Sequence, residues 1–102
     1  MIKKDEMRCL NKIFSAANSD TSIRVIVLSS NGPAFSAGHD LKELTSARSN
    51  SDKGQEFFSH IMNMCSTLMQ NITNCSKPVI AEVEGVATAA GCQLVASCDL
   101  AI

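Results

Sequence analysis

Two short runs in this sequence are nearly devoid of side chains, Ser36-Ala37-Gly38 and Ala89-Ala90-Gly91. Small residues let a ligand come close to the main chain, so that N–H groups themselves act as hydrogen-bond donors. The second run also opens a helical pattern. The first N–H groups of a helix have no internal acceptor, and its dipole is positive at that end. One donor from each run, converging on a single carbonyl oxygen, makes an oxyanion hole. Such a hole stabilises the negative charge that develops on a thioester oxygen. Small loops after strands also arise from packing alone, so these runs do not decide the matter unaided.

The elements that must position them can be read from periodicity. Met7, Leu10, Ile13, Phe14 and Ala17 fall at the 3–4 spacing of an amphipathic helix. Asn18–Thr21 is a polar break. Arg24–Leu28 (RVIVL) is a nearly continuous β-branched run, which predicts a strand buried on both faces. Asn31-Gly32-Pro33 is a turn signal. Thr45–Gly54 (TSARSNSDKG) is polar and reads as an exposed loop.

Phe57, Phe58, Ile61, Met64, Cys65, Leu68, Met69 and Ile72 then repeat at helical spacing, as core residues do. After Lys77-Pro78, Val79–Val83 is a second strand, Gly85 opens a loop, Ala89–Ser97 is a short helix and Asp99–Ile102 a third strand. Alternation of this kind predicts an α/β fold with parallel strands joined by crossovers. Each strand is followed by a Gly-containing loop that leads toward a helix. The apolar stripes of the two long helices are expected to need covering elements from outside the chain.

Composition narrows the functional classes. The chain has 102 residues, a net charge of -1 and a pI near 6.0, with basic residues scattered rather than gathered on one stripe. That argues against a nucleic-acid partner. The most apolar stretch, Val83–Ile102, is broken by Glu84, Gln93 and Asp99, so no membrane span is expected. Residues Met1–Leu10 (MIKKDEMRCL) have neither the apolar core of a secretory signal nor the acid-poor make-up of a transit peptide. Cys9, Cys65, Cys75, Cys92 and Cys98 form no CxxC pair, so reduced thiols are expected and no metal site. The chain opens on a helical pattern and closes on an apolar strand. It is therefore expected to be one partial domain spanning residues 1–102.

The residues around the two runs carry more. Ala34-Phe35-Ser36-Ala37-Gly38-His39-Asp40-Leu41 resembles the first signature of the crotonase (enoyl-CoA hydratase/isomerase) superfamily: an aromatic residue, a small pair, then Ala-Gly-x-Asp-Leu/Ile. Lys77-Pro78-Val79-Ile80-Ala81, then Gly85 through Leu94 and Ser97-Cys98-Asp99, resembles the second. The two stand about fifty residues apart with a helix between them, in the order that family has. The resemblance implies a partial crotonase-type ββα spiral, lacking its N-terminal strands and C-terminal helices. It further implies acyl-CoA or enoyl-CoA as the ligand, with CoA part of the substrate and no separate cofactor. A role in fatty-acid metabolism, a mitochondrial location and a homotrimer or hexamer for the full-length protein follow from the same resemblance.

Position by position, Ala37 and Ala90 match the residues whose N–H groups form that family's oxyanion hole. The family usually carries Gly where Ala90 stands, and Ala is permissible if its φ stays negative. Ser36, Gly38, His39, Asp40, Leu41 and Ala89 match the substrate-binding stretches, with His39 a bystander rather than a catalyst. Gln93 is the departure. It occupies the place of the first of two catalytic glutamates. An amide cannot ionise; it can only orient a water or an acyl group. The second glutamate of the family would lie beyond Ile102. Two readings follow: a non-catalytic acyl-CoA binder, or an isomerase, hydratase or hydrolase whose base lies outside these residues. Asp99 is expected to fix a strand end, while His60 and Cys92 lack partners that would make them catalytic.

Overall fold

The computed structural model describes residues 2–102. Helix α1 (Lys4–Ser19) is longer than its apolar stripe, because Asp5 and Glu6 in the first turn complement the helix dipole. Its orphan Lys4 N–H donates to Glu43 Oε1 at 2.9 Å, since Lys3 supplies no side-chain cap. Strand β1 (Ile26–Leu28) follows, then α2 (Leu41–Ser46) and a 3₁₀ turn over Ala47–Ser49. Helix α3 (Gln55–Thr73) begins at Gly54, where the Asp52 carboxylate accepts the N–H groups of Gly54 and Glu56, each at 2.9 Å. Strand β2 (Val79–Ala81), helix α4 (Ala90–Ser97) and strand β3 (Leu100–Ala101) complete the chain.

The three strands form one parallel sheet in the order β1-β2-β3. On one face of it, Met7 and Phe14 of α1 meet Ile61, Leu68 and Ile72 of α3, with Val79 of β2 and Leu94 of α4 closing the cluster. The two long stripes therefore cover each other, contrary to the expectation that both lacked partners. Asn11 runs across this seam, its amide donating to Met64 O at 3.4 Å and its Oδ1 accepting from Asn71 at 3.0 Å.

Part of the uncovered apolar surface is on the opposite face of the sheet and at its edge. Val25 and Val27 are 45% and 51% exposed, and Leu100 and Ile102 are 61% and 73%. The expectation that β1 is buried on both faces fails for this reason: the helices lie on one face alone. The polar stretch at Thr45–Gly54 is not a plain loop either. Ser46 and Ser49 donate their hydroxyls to Lys42 O and Ser46 O, each at 2.8 Å, so short side chains satisfy carbonyls that a loop would leave to water.

Two side chains join the strand ends. Lys77 donates its ammonium to Asp20 O at 2.7 Å and Ile23 O at 2.9 Å, tying the entry of β1 to that of β2. Asp99 accepts the Val79 N–H on Oδ2 and donates its own N–H to Val79 O, both at 2.8 Å. This is the strand-end role expected of it. All five cysteines are unpaired; burial pushes the Cys65 thiol up, and burial followed by the charge of Asp99 does the same to Cys98. Among the described residues no helix is long and apolar enough to cross a membrane, and no group of acidic, His or Cys side chains has metal-ligand spacing.

Removing the Asp99 carboxylate leaves the N–H of a fully buried residue without its partner. Asp99→Ala is expected to destabilise the full-length protein by about 1–3 kcal/mol, and Asp99→Asn, which keeps an acceptor, by less. Urea denaturation of the three proteins checks this. Equal midpoints for Asp99→Ala and the parent would show the contact to be dispensable.

Candidate functional site

The loops after β1 and β2 leave the sheet side by side and stay paired. Beyond the last sheet residues, the Ser36 N–H donates to Val86 O at 3.1 Å and the Thr88 N–H donates to Ser36 O at 2.8 Å, an isolated parallel bridge between Ser36 and Ala87. The first small run is thereby stitched to the stretch leading into the second. The Ser36 hydroxyl accepts the Gly38 N–H at 3.2 Å and tightens the turn between them.

Glycine is required at two contact points. A Cβ on Gly91 would stand 2.5 Å from Ser36 Cβ and 2.6 Å from Ser36 O, so α4 can press against the first loop only without a side chain there. Gly38 has φ +96°, and a Cβ on it would lie 2.9 Å from Ala89 Cβ and 3.5 Å from the Ala90 nitrogen. The two runs are thus in van der Waals contact.

Hydrogen bonding leaves both expected donors without an acceptor among the described residues. In the second run Gly91 N–H donates to Thr88 O at 2.9 Å, Cys92 to Thr88 O at 3.3 Å and Gln93 to Ala89 O at 3.1 Å. Among the described residues, the N–H of Ala90, the first residue of α4, has no acceptor, and neither has that of Ala37. The amides of Ser36 and Gly38 on either side of Ala37 are engaged, as is that of Gly91 after Ala90, so both unengaged N–H groups adjoin anchored backbone. Ala90 keeps a negative φ, the condition under which Ala can replace Gly there. Ala89 carries the distortion instead, at φ 51° and ψ −127°. A non-glycine residue in so sparse a region stores on the order of 1–3 kcal/mol, which the surrounding contacts must hold.

The remaining sequence-predicted residues divide into those the fold brings here and those it does not. Ser36 is half-buried and Ala37 exposed. Gly38 is buried, and His39 beside it has its Nδ1 buried with no partner among the described residues. Asp40 is buried and its carboxylate accepts the Lys42 N–H at 3.0 Å as the cap of α2, so its side chain is structural. Leu41 is 68% exposed at the start of α2. Gln93 and Cys92 are exposed on the first turn of α4, and the Gln93 amide has no protein partner among the described residues.

A cleft of about 380 Å³ runs beside the first loop, bounded by Leu28, Phe35, Ser36, Leu10 and Leu94. His60 is elsewhere, in an open cleft of about 700 Å³ with Lys4, Asp52, Glu56 and Phe57. Sequence reasoning missed Glu43 and Ile2, which hold the far end of the first loop. Neither leaves a local signal, because both act on residues distant in sequence.

The geometry can be set against known proteins. The family model described as enoyl-CoA hydratase/isomerase matches residues 2–102. A curated relative from Rattus norvegicus, enoyl-CoA hydratase domain-containing protein 3, mitochondrial, is 50% identical over 80 residues, covering 78% of this chain and 25% of that protein. The crystal structure of human enoyl-CoA hydratase domain-containing protein 3 superposes with a TM-score of 0.85 at 41% identity, covering 97% of this chain and 37% of that one. An enoyl-CoA hydratase/isomerase family protein from Silicibacter pomeroyi gives a TM-score of 0.88 at 40% identity, over 98% of this chain and 41% of that one. The chain thus spans about a quarter of the curated relative and about two fifths of the solved structures, a part of their fold. Matched by the family model over residues 2–102 and in backbone over 97–98% of its length, the chain belongs to the enoyl-CoA hydratase/isomerase family.

Proposed function

We propose that the protein binds acyl-CoA thioesters and polarises their carbonyl, without the two-glutamate water chemistry of a hydratase. The observation that carries this reading is the pair of N–H groups at Ala37 and Ala90, unengaged on two loops in contact. Donors fixed before the ligand arrives need no reorganisation as charge develops on the oxygen, which is where such sites gain most. The names of the family and of the relatives support an acyl-CoA or enoyl-CoA ligand. CoA then belongs to the substrate, and the chemistry asks for no separate cofactor. The name of the rat relative supports a mitochondrial location and, with the family, a place in lipid metabolism. A homotrimer or hexamer of the full-length protein is part of the same proposal, and light scattering tests it.

Gln93 limits what the site does after binding. Its amide stands on the first turn of α4, three residues after the Ala90 donor, where it can hold a water or an acyl group by hydrogen bonds. It cannot take a proton from water near neutral pH. An isomerase, hydratase or hydrolase reaction would require a base from elsewhere in the full-length protein, and this is the alternative that turnover measurements address.

The donor assignment has a direct test in the full-length protein. Ala37 is not among the residues with positive φ, so Ala37→Pro deletes the N–H without asking proline for a left-handed torsion. Loss of one such donor is expected to cost on the order of 3 kcal/mol of transition-state stabilisation and to reverse most of the infrared shift of a bound thioester carbonyl. Ala37→Gly, which keeps the N–H, should retain the shift. An unchanged carbonyl frequency in a folded Ala37→Pro protein would remove the assignment.

The role of Gln93 is tested by hydration. The full-length protein is expected to bind crotonyl-CoA yet hydrate it at least about a hundredfold more slowly than a two-glutamate hydratase, the lower bound for one missing acid–base group. Gln93→Glu should raise that rate where a second carboxylate faces the site. Loss of enoyl-thioester absorbance reads hydration, with calorimetry reading binding. Rapid hydration by the unsubstituted protein would sink the claim.

A further inference from the structure

Ala37 lies between two anchored points of the first loop. On its N-terminal side Ser36 is bridged to the second loop through Val86 O and the Thr88 N–H. On its C-terminal side the anchor comes from the other end of the molecule. The Ile2 N–H donates to Gly38 O at 2.7 Å and the Asp40 N–H donates to Ile2 O at 2.8 Å, a parallel bridge between Ile2 and His39. Two more contacts hold the same segments together. Glu43 Oε1 accepts the Lys4 N–H at 2.9 Å, fastening the start of α1 to α2. Lys3 Nζ stands 3.9 Å from Asp40 Oδ2, the carboxylate that caps α2.

We propose that residues Ile2–Lys4 with Glu43 form a clasp that positions the Ala37 donor. The physical case is that a loop residue at one end of a φ +96° glycine turn has no rigidity of its own. Its N–H direction is set by where Ser36 and Gly38 are held, and without the clasp only the Ser36 side is hydrogen-bonded to another segment, Gly38 merely packing against Ala89. Glu43 is the point at which the clasp depends on a side chain. Its carboxylate also neutralises the positive end of the α1 dipole, so the hydrogen bond is charge-assisted. The Lys3–Asp40 pair is long and its lysine largely exposed, so it adds little. Ile2 and Glu43 are positioning residues that act through main-chain hydrogen bonds, although the Ile2 side chain also lines the cleft beside the first loop. The link to the thioester rests on the proposed function above, while the clasp itself does not.

The experiment uses the full-length protein with Glu43→Ala, Glu43→Gln and Ile2→Pro. Glutamine keeps an acceptor for the Lys4 N–H, and proline deletes the N–H that Gly38 O receives. Hydrogen–deuterium exchange of the Asp40 amide is expected to quicken about tenfold in Glu43→Ala and in Ile2→Pro, the factor one lost hydrogen bond carries, and to stay near the parent rate in Glu43→Gln. Exchange of the buried α3 amides should not move, which separates a loosened loop from a loosened fold. With butyryl-CoA bound, the same two variants should show a smaller infrared shift of the thioester carbonyl.

Unchanged Asp40 exchange in both variants overturns the clasp. Faster Asp40 exchange with an undiminished carbonyl shift overturns its positioning of the donor. Should the parent itself bind no butyryl-CoA, the proposed function falls, and the exchange rates still decide the clasp. If Glu43→Ala fails to fold, Ile2→Pro carries the same comparison.

Discussion

The parallel bridge between Ser36 and Ala87 is the contact on which the site depends. β1 and β2 are each three residues long, too short to control where their following loops go. The bridge extends their pairing past the sheet and brings together two stretches about fifty residues apart in the chain. With it made, Gly91 lies against Ser36 and Gly38 against Ala89, contacts so close that a Cβ on either glycine would clash. Hydrogen bonding then engages the amides of Ser36, Gly38, Thr88, Gly91, Cys92 and Gln93, and those of Ala37 and Ala90 are among the ones that find no acceptor in the described residues.

The local cost of this arrangement is concentrated at Ala89. Glycine would occupy φ 51°, ψ −127° at little cost, and alanine does not. The strain sits at the N-cap of α4, next to one donor and across from the turn that carries the other. Strained backbone persists where surrounding structure over-determines it. Here the constraint comes from the Thr88–Ser36 hydrogen bond on one side and the first turn of α4 on the other. The same torsions set the start of α4, whose Ala90 N–H has no acceptor among the described residues and stands at the positive end of the helix, which favours an anionic oxygen.

The helical layer beneath serves to keep the strands in register. α1 and α3 bury one another's stripes and present a common surface to β2 and α4, while Lys77 and Asp99 fasten the strand entries. A parallel pair has no tight turn to set its register. The register of β1 against β2 is therefore supported by Lys77 and by the buried positions of Val79 and Ala81, while Asp99 joins β3 to β2.

Much of this was legible in the residues themselves. The 3–4 spacing of Met7–Ala17 and Phe57–Ile72, the β-branched run before Leu28 and the Lys77-Pro78 break are local signals, and the helices and strands follow them to within a few residues. The amide at Gln93 was equally plain, since side-chain chemistry does not depend on folding. Tertiary structure decided the rest. That β1 has an exposed face, that Ser46 and Ser49 turn a polar stretch helical, and that Ala89 takes the strained torsion all depend on which element lies alongside. Above all, composition marks which loops can expose an N–H, but not which N–H groups stay unpaired. That is set by partners such as Val86, Thr88 and Ile2, each brought to the site by contacts distant in sequence.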